Sequence, residues 1–389
     1  MNSLIIVLPE DDRNNIIHMY GSHKIKEIQF IDSSRDQDDL RFVYCVTYQD
    51  ANIKPIVIKV SRNSFTKHER INGWAQLTVR YKQCGLYCPM IQECAATNSY
   101  SFDYVDTHGR EFIVNAEEYK KYKTIEEYIE EKTASTADSK EITANLKRYF
   151  ASHSFRSQVY DSIGLIASTY KDQSLVNWPS PYVLYDKFSE DEYSDGNYEF
   201  AEKFYFTVKQ QSGDHQLMET IWSLYLDKKS RFESKYRNLP KAVFQSDLND
   251  SNLLLDDQLN LVGIIDFNLS GTETILNYII CECLYFLRVD DLDKLGDWAF
   301  MKQCDEHLAK AMSAVTKHYE LSQQELDVIN DLYNIVAPFR FPTMHLFIKD
   351  LKANNGDKMD AMLEWIYYQL TRSDIHQLIQ EVDFSSASS

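Results

Sequence analysis

The sequence predicts an α+β chain of two lobes, a small antiparallel sheet followed by a larger, mostly helical part. Three observations predict it. Runs rich in β-branched and aromatic residues follow one another between Ile25 and Val60, separated by polar turns, which is the pattern of a meander. Beyond Thr124 the apolar positions recur mainly at helical spacing. A chain of 389 residues is also longer than one hydrophobic core normally serves. The division is expected at residue 116, with an N-terminal lobe over 1–116 and a helical lobe over 117–389.

Each element follows from a local pattern. Ile16-Ile17-His18-Met19-Tyr20 reads as a short helix stopped by Gly21. Residues 25–31, 40–46 and 55–60 are the three strands, and the first turn, 32–39, contains no glycine. Over 66–84, Ile71, Trp74, Leu77 and Tyr81 fall on one helical face, Thr66-Lys67-His68-Glu69 has the form of a capping box, and Gly85 is a fitting stop. Residues 90–92, 100–105 and 111–116 complete what is expected to be a five-stranded sheet. A helix starts at Thr124, residues 140–171 are helical in pattern, and Asn177-Trp178-Pro179-Ser180-Pro181 breaks them. Residues 190–196 read as an acidic loop and 214–236 as a helix. An apolar helix is expected over 271–287, and further helices around 298–315, 325–337, 342–354 and 357–370.

The chemistry gathers in two stretches, Gln245-Ser246-Asp247-Leu248-Asn249-Asp250-Ser251-Asn252 and Ile265-Asp266-Phe267. The apolar runs between them flank a polar turn, 256–260, and read as a hairpin. Pairing about that turn brings Asn252 and Asp266 side by side, within a residue or two of register. An amide oxygen and a carboxylate at one end of a short ladder suit magnesium, which takes one or two protein oxygens beside phosphate and water. Asp247, on the loop feeding the hairpin, is left to meet a substrate hydroxyl. Taken singly, each of these residues is an ordinary turn residue or helix cap. Specificity lies in their conjunction and in a lysine on the third strand, Lys59.

This arrangement resembles the catalytic loop and metal-binding segment of protein-kinase-like phosphotransferases, in which H-R-D-L-x-x-x-N is followed by a second metal-binding Asp. Asp247-Leu248 and Asn252 stand at the matching offsets, and Ile265-Asp266-Phe267 is similar to the I-D-F of the small-molecule branch, the aminoglycoside phosphotransferase and choline kinase relatives. Ile56-Val57-Ile58-Lys59 resembles the Val-Ala-Ile-Lys strand. Gln245 departs from the family, which usually has His there; Gln carries both a donor and an acceptor. The resemblance implies a bilobal protein-kinase-like fold. It implies that Lys59 meets the α- and β-phosphates and that Glu69 of the following helix pairs with Lys59. It further implies that Ser33 and Ser34 present hydroxyls and amides to phosphate, and that the backbone of Glu117 and Tyr119 meets adenine. Asn252 and Asp266 would hold Mg2+, and Asp247 would be catalytic.

Bulk properties narrow the class. The hydrophobic share of 44%, with 26 Tyr and 20 Phe, describes a folded globular chain. The formal charge, 41 − 59 = −18, argues against nucleic acid, whose phosphates want a basic stripe. It favours a cationic substrate, although acidic balance also serves solubility. No apolar run approaches the length needed to span a membrane. Seven scattered cysteines, an odd count without zinc spacing, suggest reduced thiols and a cytoplasmic setting. The expected function is ATP- or GTP-dependent phosphoryl transfer to a hydroxyl of a small molecule, with Mg2+. The alternative is a pseudokinase that binds nucleotide or a partner without turnover. A protein kinase is disfavoured, because no Ala-Pro-Glu segment or activation loop follows Phe267.

Overall fold

The computed structural model describes residues 7–134, 139–173, 178–187, 196–213, 215–354 and 356–386. They form two compact units, the first running to Tyr128 and taking in Asn249–Ser270, the second holding the other described residues from Ile129 onward. The hairpin expected in the helical lobe thus belongs to the sheet unit, and the boundary falls at 128.

In the first unit, α1 (Glu10–Met19) precedes β1 (Ile25–Asp32), β2 (Leu40–Tyr48) and β3 (Ile56–Arg62), then α2 (His68–Gln83), β4 (Ile91–Gln92), β5 (Ser101–Val105), β6 (Glu111–Glu118) and β7 (Lys123–Thr124). The sheet has six strands, not five, ordered β1-β2-β3-β6-β4 with β5 also on β6. Each of the six expected β runs forms a strand, and two of them share one edge. β4 pairs with Glu117 and Ala116 and β5 with residues 111–115, so two short strands follow one another along a single edge of β6. Alternation decides the faces: Phe42, Val46, Ile58, Val60, Val114 and Ala116 are fully buried and cluster with Ile16 and Ile17 of α1. Lys59 points to the other face, as its place between Ile58 and Val60 requires.

After α3 (Ile125–Thr133), the second unit contains α4 (Ser139–Phe150), α5 (His153–Tyr170), α6 (Gly196–Ser212), α7 (Gln216–Arg237) and β8 (Lys241–Phe244). The expected helix over 140–171 is therefore two, parted around Ser152. α6 was not expected; its Phe204, Tyr205 and Val208 are buried, so tertiary packing supplies what a mixed aromatic sequence does not announce. The predicted acidic loop lies almost wholly outside the described residues. The hairpin, β9 (Leu253–Leu255) and β10 (Leu261–Ile264), returns the chain to the first unit, where β7 pairs with β9.

Back in the second unit, β11 (Gly271–Thr274) pairs antiparallel with β8, so α8 (Ile275–Cys283) starts four residues later than expected, capped by the Thr274 hydroxyl. α9 (Trp298–Thr316), α10 (Gln323–Val336), α11 (Phe341–Asn354), α12 (Met359–Thr371) and α13 (Ile375–Ser386) follow. Among the described residues no helix is long and apolar enough to cross a membrane. None of the seven cysteines forms a disulfide.

Candidate active site

The predicted residues fall into two groups, one in each unit. The first group is built on β3, β6 and the hairpin. Leu253 pairs with Ile264 at the open end of β9 and β10, and the Ile265 amide donates to the Asn252 carbonyl at 3.0 Å. Asn252 therefore sits opposite Ile265, one residue before Asp266. The turn is held by the Asp256 carboxylate, which accepts from the amides of Gln258 and Asn260 at 2.8 Å each. β10 is pinned from the α2 side as well. The Tyr87 amide donates to the Val262 carbonyl at 2.8 Å, the Ile264 amide donates to the Tyr87 carbonyl at 3.0 Å, and the rings of Tyr81 and Phe267 meet edge to face.

Asp266 is delivered at φ 61° and ψ 76°, the left-handed region. Such backbone costs of order 1–3 kcal/mol for a non-glycine residue and persists where the surroundings over-determine it. Its carboxylate stands 3.2 Å from Lys59 Nζ, and Glu117 Oε1 stands 3.2 Å away on the same ammonium. Lys59 and Glu117 are only 15% and 14% exposed, so this cluster is well screened, whereas Asp266 at 36% keeps an open side. Burial alone would lower the Lys59 ammonium, but the charges of Asp266 and Glu117 outweigh it and hold it above its ordinary value. Burial lifts Glu117 above the ordinary carboxylate value; Lys59 opposes the rise and Asp266 adds to it.

Glu117 corrects one expectation. Glu69, expected to pair with Lys59, is exposed on the first turn of α2, and the capping box it was to close is absent, Lys67 being the N-cap. The partner comes from the sheet: Val57 pairs with Glu117 and Lys59 with Asn115, so Glu117 lies diagonally beside Lys59 on one face. The backbone there is also committed. Glu117 pairs with Val57 and Ile91, and the Tyr119 amide donates to the Pro55 carbonyl at 3.1 Å, so of the backbone groups expected to meet adenine the Tyr119 amide is already bonded within the sheet unit. At Ser33 and Ser34 the expected amides are likewise engaged. The Ser33 amide donates to the Arg41 carbonyl, the Ser34 amide to Asp32 Oδ1, and the Ser34 hydroxyl accepts from the Arg41 amide. Both serine amides are thus bonded within the turn, and only the hydroxyls keep a proton to offer phosphate.

The second group surrounds Asp247, which follows β8. Gln245 is fully buried and brackets it: its Oε1 accepts from the Asp247 amide at 2.7 Å and its Nε2 donates to the Asp247 carbonyl at 2.9 Å. Both ends of the Gln amide are used here, the oxygen accepting from the Asp247 amide and the nitrogen donating to its carbonyl. The Tyr278 hydroxyl donates to the Gln245 carbonyl and the Tyr182 hydroxyl reaches the Ser246 carbonyl at 2.8 Å. Arg156 donates to the Leu248 carbonyl at 3.3 Å. Sequence reasoning missed Glu117 as a side chain, and missed Tyr182, Tyr278 and Arg156 altogether; 64, 33 and 92 residues, respectively, separate the latter three from their partners.

No family model and no curated protein matches the sequence. Solved structures match in fold. An amicoumacin kinase, hAmiN, in complex with AMP-PNP, Ca2+ and Ami, aligns over 95% of this chain and 97% of its own, at TM-score 0.51 and 14% identity. A microcompartment-associated aminopropanol kinase aligns over 95% and 98%, at TM-score 0.45 and 9% identity. The gentamicin complex of APH(2")-IIa aligns over 96% and 99%, at 0.43 and 12%. At such identities the likeness is one of fold, and the amicoumacin kinase carries it: the chain has a protein-kinase-like α+β fold, with a lysine, two carboxylates and an asparagine gathered on its sheet unit.

Proposed function

We propose that the chain transfers the γ-phosphoryl group of ATP or GTP to a hydroxyl of a small molecule. The observation that carries this reading is the Lys59 ammonium, 3.2 Å from both Glu117 and Asp266, with Asn252 one register step from Asp266. Two carboxylates against one ammonium leave an excess negative charge, and Asp266 and Asn252 add hard oxygens of the kind magnesium prefers. Those two residues would hold Mg2+, which when bound supplies neutralisation of phosphate charge. Lys59, oriented by Glu117, binds the α- and β-phosphates, and Asp247, its peptide locked by Gln245, accepts or orients the acceptor hydroxyl. Phosphoryl transfer asks for positioning and charge stabilisation more than covalent chemistry, which is what this donor set provides. The fold shared with a kinase that binds AMP-PNP supports a nucleoside triphosphate as donor. The charge of −18 supports a cationic acceptor, such as an aminoglycoside-like compound or an amino alcohol.

A thermal-shift titration with magnesium nucleotides tests the premise, since a ligand at a hundred times its dissociation constant adds about 2.7 kcal/mol of stability. No shift with any nucleotide removes it. Asp247→Asn should lower the rate of nucleotide consumption by about two orders of magnitude or more. Equal trace rates in both proteins would favour the second reading, nucleotide or partner binding without turnover. The observation that favours this second reading is the turn at Ser33 and Ser34, whose amides are already satisfied.

A further inference from the structure

Tyr182, Glu282 and the Ser246 carbonyl pose a proton count that one arrangement satisfies. The Tyr182 hydroxyl lies 2.8 Å from the Ser246 carbonyl oxygen and 2.6 Å from Glu282 Oε1. A carbonyl and an ionised carboxylate are both acceptors, and a phenol has one proton to give. Water offers little rescue, since Ser246 is 4% exposed and Glu282 8%. Burial holds the Tyr182 phenol well above its ordinary value, so it keeps that one proton. Among the described residues the Glu282 carboxyl forms no ion pair, and Tyr182 is its hydrogen-bond partner.

If Glu282 were ionised, it would accept the phenol's O–H and leave the Ser246 carbonyl facing an oxygen lone pair, while a buried carboxylate stood without an ion-pair partner. Both are costly. A carboxylic acid resolves both at once: its O–H donates to the Tyr182 oxygen, whose own O–H donates to Ser246. We propose that Glu282 is carried as the neutral acid, and that the Glu282, Tyr182, Ser246 relay is a positioning device that fixes the peptide immediately before Asp247. The significance of that peptide rests on the reading of Asp247 as the residue that meets the acceptor hydroxyl.

The surroundings agree. Burial raises the Glu282 carboxyl and the negative charge of Asp247 adds to the rise, while the Tyr182 bond, Arg340 and Arg156 oppose it. Neither arginine forms an ion pair with Glu282: Arg340 donates to the Leu284 carbonyl at 3.4 Å and stacks over Phe286, and one Arg156 nitrogen donates to the Leu248 carbonyl. The neighbouring Cys281 and Cys283 are buried, and burial holds the Cys283 thiol well above its ordinary value. With Tyr278 on the Gln245 carbonyl and Gln245 on both sides of the Asp247 peptide, the relay supplies the missing hold on residue 246.

The titration state can be tested without nucleotide. Unfolding of wild type and Glu282→Gln is followed in urea from about pH 4.5 to about pH 8. A folded value above the unfolded one means that the contribution of Glu282 is whole below the unfolded value and is lost as pH rises. The folding constant of wild type relative to Glu282→Gln should therefore fall about tenfold per pH unit until the folded value is passed. A flat ratio overturns the proposal. Should Glu282→Gln not fold, Tyr182→Phe decides: its pH slope matches wild type if Glu282 is already the acid, and is steeper if Glu282 was an anion held by the phenol.

The positioning half is read by hydrogen exchange of the Asp247 amide, which should quicken at least about tenfold in Tyr182→Phe. Unchanged exchange overturns it. In an assay of phosphoryl transfer the same variant should lower kcat and leave the KM for nucleotide unchanged. A wild-type protein with no turnover would defeat the functional reading, and the exchange and titration results would still decide the relay.

Discussion

Lys59 shows how much a single side chain's meaning depends on what it faces. In sequence it alternates with Ile58 and Val60 and could have been a solvated lysine on an outer face. In the structure its ammonium is shared by Glu117 and Asp266, residues 58 and 207 positions away in the chain. No local pattern announces either partner. Glu69, by contrast, looked right because it begins the next helix, and it is exposed. Glu117→Gln should destabilise the protein by about 1–3 kcal/mol in urea at neutral pH. The loss is smaller than for a wholly orphaned charge because Asp266 still neutralises Lys59. The same variant should raise the KM for nucleotide, and a stability change below about 0.5 kcal/mol, the size expected of a surface pair, would contradict the assigned role.

Among elements, the β9–β10 hairpin was legible because its information is local: two apolar runs, a polar turn, and offsets that leave Asn252 and Asp266 at the open end. What holds it is not local. Gly263 lies where the Tyr87 backbone crosses β10, and a Cβ there would stand 2.1 Å from the Tyr87 carbonyl oxygen. That contact belongs to backbone and cannot be relieved by turning a side chain. Gly263→Ala should therefore cost about 2 kcal/mol or more in stability and shift Asp266 enough to weaken nucleotide binding. A variant as stable as wild type, with the same thermal shift on adding nucleotide, would show that the Tyr87 backbone does not set the position of the hairpin. The short strand β11 escaped the sequence for a related reason: four residues carry too little pattern, and pairing with β8 defines it.

At the scale of the whole molecule, acid sensitivity has a specific source in the helical unit. His307 on α9 lies against Tyr160 of α5, with its Nε2 3.2 Å from the hydroxyl. Burial, then the charges of His153, Arg156, Arg340 and Lys310, lower its pKa to about 4. The folded state therefore prefers the neutral ring; that stability is whole above the unfolded value near 6.5 and is lost as pH falls toward 4. Compared with His307→Gln, wild type should lose up to about 3 kcal/mol between pH 7 and pH 4, and parallel stability profiles would refute this. By itself the sequence determined the class of fold, the hairpin, and the roles open to Asp247, Asn252, Asp266 and Lys59, because periodicity and short offsets are carried by neighbours in the chain. Which carboxylate orients the lysine, whether the serine turn has amides to offer, and how the peptide before Asp247 is held were decided only by the tertiary structure. Those are contacts between residues tens to hundreds of positions apart, and their existence depends on strand register and burial that no local stretch encodes.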